Sequence, residues 1–475
     1  MTDIELCYLS ATEILKLFRT RKLSPVDLMT ALFSRIEKIN PSLNAFTQLY
    51  PEEAFAAAKA AEHIYAKKDG HPRPLEGIPI AIKDFHSVKG KVTTFGSKLY
   101  KDFIPNFTAP TVDRLLQSGC IMHARTTTPE FAYSDACHSP LWGITKNPWN
   151  QDYSPGGSSG GAGAALAAGM TTLADGTDGG GSIRIPASAC GVVGYKPPFG
   201  RNPLDCDHPM ESILVYGPMA RTVSDAALMQ NVMSGIHVDD VCSLRESIKI
   251  PLPEQLGSIK NWRIGFSMNL GYIEVDPEVQ TLTMEALNTF KDLGCDIEEV
   301  HVGWDWRVYK TWITYWESLF SATSGHLIEH GRNQLDPFVV QLLEHGKNHS
   351  AETLHQCRHF RGEMYKSLAP ILEKYDVLIV PTTALPSVKA DHSGFNSDFQ
   401  INGHHVPAYV GWVLTHGFNL MSYCPVLSVP SGRSKCGVPT GIQIIGRSFD
   451  DIRVFQAAQA YAAARPWNYE PLIHA

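Results

Sequence analysis

The spacing of apolar positions changes character several times along the chain. Near the start it is helical. Ser10-Ala11-Thr12-Glu13 reads as a capping box, with Leu9 and Ile14 placed as a hydrophobic staple. Ser24-Pro25 opens a second helix with proline in its first turn, and Leu28, Leu32, Ile36 and Ile39 then share one face. Asn40-Pro41 is expected to end it, and an alanine-rich third helix covers 52–67. The stretch 75–84, LEGIPIAIKD, is different. Ile78, Ile80 and Ile82 predict a buried strand ending at Lys83, and Pro79 predicts an irregular or edge-like beginning. A helix over 112–118 and a strand over 120–124 follow.

Residues 162–170 are almost entirely Ala, Gly and Leu, which predicts a helix buried on all sides; 171–174 predicts a short buried strand. The span 201–260 is less regular, with one helix over 223–234 and an excursion over 236–252. A strand is expected at 262–266. Asp276-Pro277 then opens a helix with Val279, Leu282, Ala286, Phe290 and Leu293 inward, closed by Gly294. Strands at 377–380, 426–430 and 440–445 and a last helix at 450–464 complete the pattern. Strands alternating with helices imply an α/β fold, a sheet covered by helices on both faces. No internal repeat or linker divides the chain, so 1–475 reads as a single domain with a helical N-terminal lobe over 1–70.

Composition narrows the function classes. The chain is 44% hydrophobic and 19% charged, with net charge −7, which argues against a nucleic-acid partner. Ten cysteines occur without a CxxC pair or a Cys/His array at zinc spacing, so they are expected to be free thiols in a reducing, cytoplasmic setting, and no metal is expected. The first residues, MTDIELCYLS, lack a basic region followed by an apolar core, and no apolar run of about 18 residues occurs; neither a signal peptide nor a membrane span is expected.

The candidate chemistry lies in 154–198. Two glycine-rich knots carry serines: Gly156-Gly157-Ser158-Ser159-Gly160-Gly161 and Gly176-Thr177-Asp178-Gly179-Gly180-Gly181-Ser182. Three glycines before a serine can turn several N–H groups toward one point beside a hydroxyl, which is what an oxyanion needs. A serine nucleophile also needs a base. A histidine would suit an esterase of the Ser-His-Asp type, and Gly156-Gly157-Ser158-Ser159-Gly160 matches G-x-S-x-G formally. The stretch before it reads as a loop rather than the strand that motif requires. Lys83 is a second possibility if burial keeps its amine neutral. From position alone a snorkelling lysine, or one ion-paired beside Asp84, is the favoured reading. A metal-bound water is the third, and no HExxH or ligand cluster supports it.

These residues resemble the amidase signature family. The resemblance is carried by Gly77-Ile78-Pro79-Ile80-Ala81-Ile82-Lys83-Asp84, by both knots, by Thr145-Lys146-Asn147-Pro148-Trp149-Asn150, by Cys190-Gly191-Val192-Val193-Gly194-Tyr195-Lys196-Pro197, and by Pro439-Thr440-Gly441-Ile442-Gln443. It runs from about residue 10 to 465. It implies a large mixed central β-sheet, a catalytic core over 71–220, a variable substrate-pocket region over 221–400 and a return to the core sheet over 401–475. It also implies a Ser-Ser-Lys triad, with Ser182 as nucleophile, Ser158 as the bridging serine (in a cis peptide in the family) and Lys83 as base. The N–H groups of Gly179, Gly180, Gly181 and Ser182 would form the oxyanion hole, with Asp178, Arg184 and Ser159 bracing the loops. No cofactor is implied.

The expected substrate is a small amide or a carbamate, acted on by a monomer or homodimer through an acyl-enzyme. The family's glutamine-using amidotransferase subunits carry an acidic residue where alignment of 411–421 places Trp412, and Thr127-Thr128 stands where they carry Asn-Met. Phe85 follows Lys83-Asp84 where Asn is common, and Gly179 stands where Thr is common, which suggests a looser oxyanion loop. The stretch 304–320 is rich in tryptophan and reads either as core packing or as the wall of a pocket. Phe85, Thr128, Trp316 and Trp412 are therefore the candidate pocket residues, and an apolar or aryl amide is favoured over glutamine.

Overall fold

The computed structural model describes residues 1–205 and 210–473. Its centre is an eleven-stranded sheet. In chain order the strands are β1 (Phe46–Leu49), β2 (Pro79–Lys83), β3 (Ile121–Thr126), β4 (Leu173–Asp178), β5 (Val193–Lys196), β6 (Val215–Ala220), β7 (Arg263–Phe266), β8 (Asp296–Glu299), β9 (Val377–Pro381), β10 (Val426–Arg433) and β11 (Pro439–Ile445). Across the sheet they run β1-β3-β2-β4-β6-β5-β10-β11-β9-β7-β8. The sheet is mixed: β2 is parallel to both β3 and β4, whereas β6, β5, β10 and β11 pair antiparallel in succession.

Successive side chains on a strand point to opposite faces, and the two layers are built on that alternation. Ile80 and Ile82 enter one core with Phe18, Leu115, Met229, Phe290 and Phe455, from five different helices. Ala81 faces the other way, into a layer with Ala124, Ala164 and Ala165. The helix Gly160–Ala167 has every residue buried, as its composition predicts. Small side chains on both sides let helix and sheet approach closely, and that places the two glycine-rich knots together. Farther along the sheet, Leu378 and Val380 turn toward the tryptophan-rich helix Arg307–Ser324, and Ile379 toward the opposite layer.

Local signals fared well at helix starts. Ser10 and Ser24 both cap with their side chains, accepting from the N–H groups of Glu13 and Val26. Three expectations need correction. The second helix does not stop at Asn40-Pro41; it runs to Leu43 and ends on Asn44 at φ +56°. Pro41 sits in the last turn, and it and Glu37, one turn earlier, are both exposed, so the carbonyl that loses its donor can meet water. Pro79 does not mark an edge, although the beginning of β2 is irregular as expected, its register against β3 shifting between Ile80 and Ala81. Pro79 is the first residue of a strand with neighbours on both sides, a position where a missing N–H is tolerated. The strand expected at 171–174 begins at Leu173 and extends to Asp178, so the first three residues of the second knot are strand.

Among the described residues no helix is long and apolar enough to cross a membrane. Nine cysteines are free thiols, seven of them buried; Cys206 lies outside the described residues.

Candidate active site

The end of β2 delivers Lys83 into the sheet's interior. Its own N–H donates to Asp175 Oδ1 at 2.7 Å, which ties the end of β2 to β4. Its amine donates to Ser158 Oγ at 2.6 Å and to Thr177 Oγ1 at 2.8 Å. The peptide joining Gly157 to Ser158 is cis. Lys83 and Ser158 are wholly buried and Ser182 nearly so. Burial penalises the ammonium form and pushes the Lys83 pKa down to about 7; Cys137, Asp175 and Asp178 pull weakly the other way. The ion pair with Asp84 that position alone suggested does not form: the Asp84 carboxylate takes both the N–H and the hydroxyl of Thr94, with Arg125 3.4 Å away. Among the described residues no histidine bonds Ser158 or Ser182. The buried His86 lies 3.3 Å from Asp175, and the buried His416 bonds the Tyr272 hydroxyl at 3.1 Å.

Asp178 and Arg184 brace the second knot. Arg184 holds the Asp178 carboxylate through Nε and Nη2 at 2.9 and 2.8 Å, and its remaining donors reach Gln443, Thr415 and Asn419. Burial alone would raise the Asp178 pKa, but Arg184, with Asn419 and Lys196, more than offsets it and the carboxyl lies below its ordinary range. Ser159 donates its N–H to the Ser182 carbonyl at 3.1 Å, joining the two knots directly.

The loop from Gly179 to Ser182 is clamped, not loose. Trp316 seats its ring on Gly179 and Trp312 on Gly180, so closely that an added Cβ would lie 2.7 and 2.5 Å from the rings. The two indoles stack with centroids 5.3 Å apart. Gly181 adopts φ +129° beside Thr415, and a Cβ there would lie 2.1 Å from the hydroxyl. Three glycines in a row are thus the counterpart of two tryptophans and a threonine. Among the described residues, none of the N–H groups of Gly179, Gly180, Gly181 and Ser182 has a hydrogen-bond acceptor. Buried N–H groups are nearly always paired in folded proteins, so four free donors beside a serine hydroxyl stand open to an acceptor from outside the chain.

Ser182, Thr177 and Gly179 form the floor of a cavity of about 500 Å³. Phe85, Phe95, Phe131 and Trp316 stand among its walls, and among the described residues none that lines it is charged. Of the four pocket candidates, Phe85 and Trp316 line this cavity, and Thr128 and Trp412 do not. Thr128 is buried, with its carbonyl packed against Gly96. Trp412 is wholly buried, and its indole donates to Asp135 Oδ2 at 2.7 Å. The apolar character inferred from Trp412 therefore belongs to other residues. The tryptophans of 304–320 divide: Trp316 is a wall, while Trp304 and Trp312 are core.

Sequence reasoning missed Thr177, the second acceptor for the Lys83 amine, and Asp175. Both stand two residues apart on β4, and alternation from Asp175 would have pointed to Thr177 had the strand been drawn to its full length. It also missed Phe95, Tyr100 and Phe103, whose recurrence in a loop was the available signal. Among the described residues no group of three or more His, Cys, Asp or Glu side chains is arranged to hold a metal ion.

The family model described as Amidase matches residues 27–455. An acylamidase of Rhodococcus erythropolis is 34% identical, the match covering 98% of this chain and 98% of that one. A glutamyl-tRNA(Gln) amidotransferase subunit of Geobacter metallireducens is 32% identical, over 98% of this chain and 99% of its own. Among solved structures, a bacterial aryl acylamidase of the amidase signature family superimposes with a TM-score of 0.90 at 28% identity, over 98% of both chains.

Proposed function

The chain belongs to the amidase signature family and hydrolyses amide bonds, and from that premise we propose that it is a stand-alone hydrolase of uncharged aryl and alkyl amides, using Lys83, Ser158 and Ser182. The observation that carries the reading is the Lys83–Ser158 contact of 2.6 Å, with Thr177, the other partner of the amine, and Ser182 lining a cavity that among the described residues has no charged one.

The steps follow from the groups present. Neutral Lys83 takes a proton from Ser158, which takes one from Ser182 as the Ser182 oxygen attacks the amide carbonyl. The free N–H groups of Gly179 to Ser182 hold the oxyanion, and losing one such donor typically costs about 3 kcal/mol of transition-state stabilisation. Ser158 then passes a proton to the departing amine and regains one from the Lys83 ammonium, which leaves the lysine neutral again. Water repeats the attack on the acyl-enzyme through the same relay. Thr177, the other partner of the Lys83 amine, keeps that amine aimed at Ser158. Aryl carbamates present the same carbonyl to the same nucleophile and fall within the proposed range. Free glutamine fits poorly, because its ammonium and carboxylate would be stripped of water against aromatic walls with no partner.

The test is amine release by the purified protein alone from an uncharged anilide and from glutamine, each repeated with Ser182→Ala. Anilide cleavage that disappears in the variant is expected. Ammonia from glutamine with no anilide cleavage would overturn the reading and direct attention to an amidotransferase partner.

A further inference from the structure

Each carbonyl of the Gly179 to Ser182 loop has a donor. Gly181 accepts from the N–H of Ile185 at 2.7 Å and Ser182 from the N–H of Ser159 at 3.1 Å, both within the 154–198 stretch. The other two donors are side chains from far along the chain. The Trp312 indole N–H donates to the Gly179 carbonyl at 2.8 Å, and the Thr415 hydroxyl donates to the Gly180 carbonyl at 2.5 Å.

A trans peptide is planar, and its N–H points opposite to its C=O. The carbonyl of Gly179 shares a peptide plane with the N–H of Gly180, and that of Gly180 with the N–H of Gly181. Pulling the first carbonyl toward Trp312 and the second toward Thr415 therefore turns two N–H groups away from those side chains. These N–H groups are among the four left without an acceptor. Neither Trp312 nor Thr415 lines the cavity, and both are buried. Their hydrogen bonds run to the back of the loop, where the Trp312 ring packs closely against Gly180.

We propose that Trp312 and Thr415 are positioning residues that preset the oxyanion-binding N–H groups of Gly180 and Gly181. The inference rests on the amidase reading above and deepens it: donors fixed before substrate arrives need no reorganisation when charge develops. The same helix, Arg307–Ser324, supplies Trp316 to the cavity wall and Trp312 to the back of the loop. The side that shapes the substrate is thus continuous with the part that aims the donors. Thr415 also accepts from Arg184 through its carbonyl at 3.0 Å, which ties it to the brace on Asp178.

The experiment compares Trp312→Phe, which keeps an aromatic ring and removes the donor, with Thr415→Val, which keeps the shape and removes the hydroxyl. Thr415→Ser restores a hydroxyl. Steady-state kinetics on an uncharged anilide should show kcat lowered by about 10- to 100-fold in Trp312→Phe and Thr415→Val, short of the 10²–10³-fold typical of deleting a donor outright. KM should stay within about twofold, because an interaction made only in the transition state is what is lost. An aryl boronic acid, which captures a serine as a tetrahedral anion, should lose affinity by a comparable factor. Thr415→Ser should recover most of the rate. A raised KM with unchanged kcat, or unchanged kinetics, would overturn the proposal. If Trp312→Phe fails to fold, the Val and Ser variants at 415 decide: a loss in Thr415→Ser as large as or larger than that in Thr415→Val would mean that the methyl group, not the hydroxyl alone, sets the rate, and the proposal falls. A wild-type protein inert toward the anilide would instead defeat the amidase reading.

Discussion

Lys83 and Lys196 each end a strand of the same sheet, β2 and β5, and both are wholly buried. Burial pushes both amines down to a pKa of about 7. For Lys196 the neighbouring Arg184 adds to the effect, whereas the groups around Lys83 oppose it. The surroundings otherwise differ in kind. The Lys83 amine faces two hydroxyls, Ser158 and Thr177. The Lys196 amine faces the carbonyls of Pro197 and Ser422 at 3.2 and 3.3 Å. A hydroxyl can give up a proton and a carbonyl cannot. A depressed pKa is therefore common to both sites and does not make a base; the partner does. Lys196 fastens the end of β5 to the segment around Ser422, and Lys83 stands in a chain of groups that can pass protons.

The largest test of this contrast replaces each lysine by methionine, which keeps the stem and removes the amine. Lys83→Met should lower kcat on an anilide by about 10³-fold or more, at the upper part of the range for a lost general base. Lys196→Met should keep kcat within a few-fold and show its effect in thermal unfolding. Comparable kinetic losses in both would erase the distinction. A smaller effect concerns pH. Below a pKa of about 7 Lys83 is protonated and cannot accept, so kcat/KM should climb about tenfold per unit toward neutrality and level off above it. Lys196→Met should leave that midpoint in place; a midpoint that moves or vanishes would assign the titration to the wrong lysine. The smallest effect is on stability. In the native state each amine loses its proton near pH 7, and in the unfolded chain near the ordinary 10.5. Between those values the unfolded state binds more protons, so each lysine makes stability rise with pH from about 7 to about 10.5. Removing Lys196 should cut the slope in that window by about one proton, read from denaturant unfolding at several pH values. An unchanged slope would mean the Lys196 amine keeps its proton when buried.

Legibility in the sequence followed the range of the interactions involved. Helix starts were readable because Ser10 and Ser24 cap bonds formed two or three residues away. The buried helix Gly160–Ala167 was readable because Ala and Gly admit close packing on every side. The strand β6 was not read, because Gly217 and Pro218 break its apolar pattern, yet six residues of β4 pair with it in the middle of the sheet. Lys83, Ser158 and Ser182 could be named from motifs, and the structure places the first two in contact. Trp412 was misjudged because a tryptophan in a sequence shows size and an N–H but not what that N–H meets. Here it meets Asp135, away from the cavity.

The sequence by itself determined the 154–198 stretch, the apolar strand that ends in Lys83 and the alternation that makes an α/β sheet. Those are consequences of torsions and periodicities acting within a few residues. Only the tertiary structure decided which groups Lys83 would meet, since Ser158 is 75 residues away and Thr177 is 94. It also decided that Trp312, 133 residues from Gly179, would hold that carbonyl, and that three glycines would be gripped rather than loose. Strand order sets those meetings, and strand order is fixed by how whole layers pack, which no local pattern encodes.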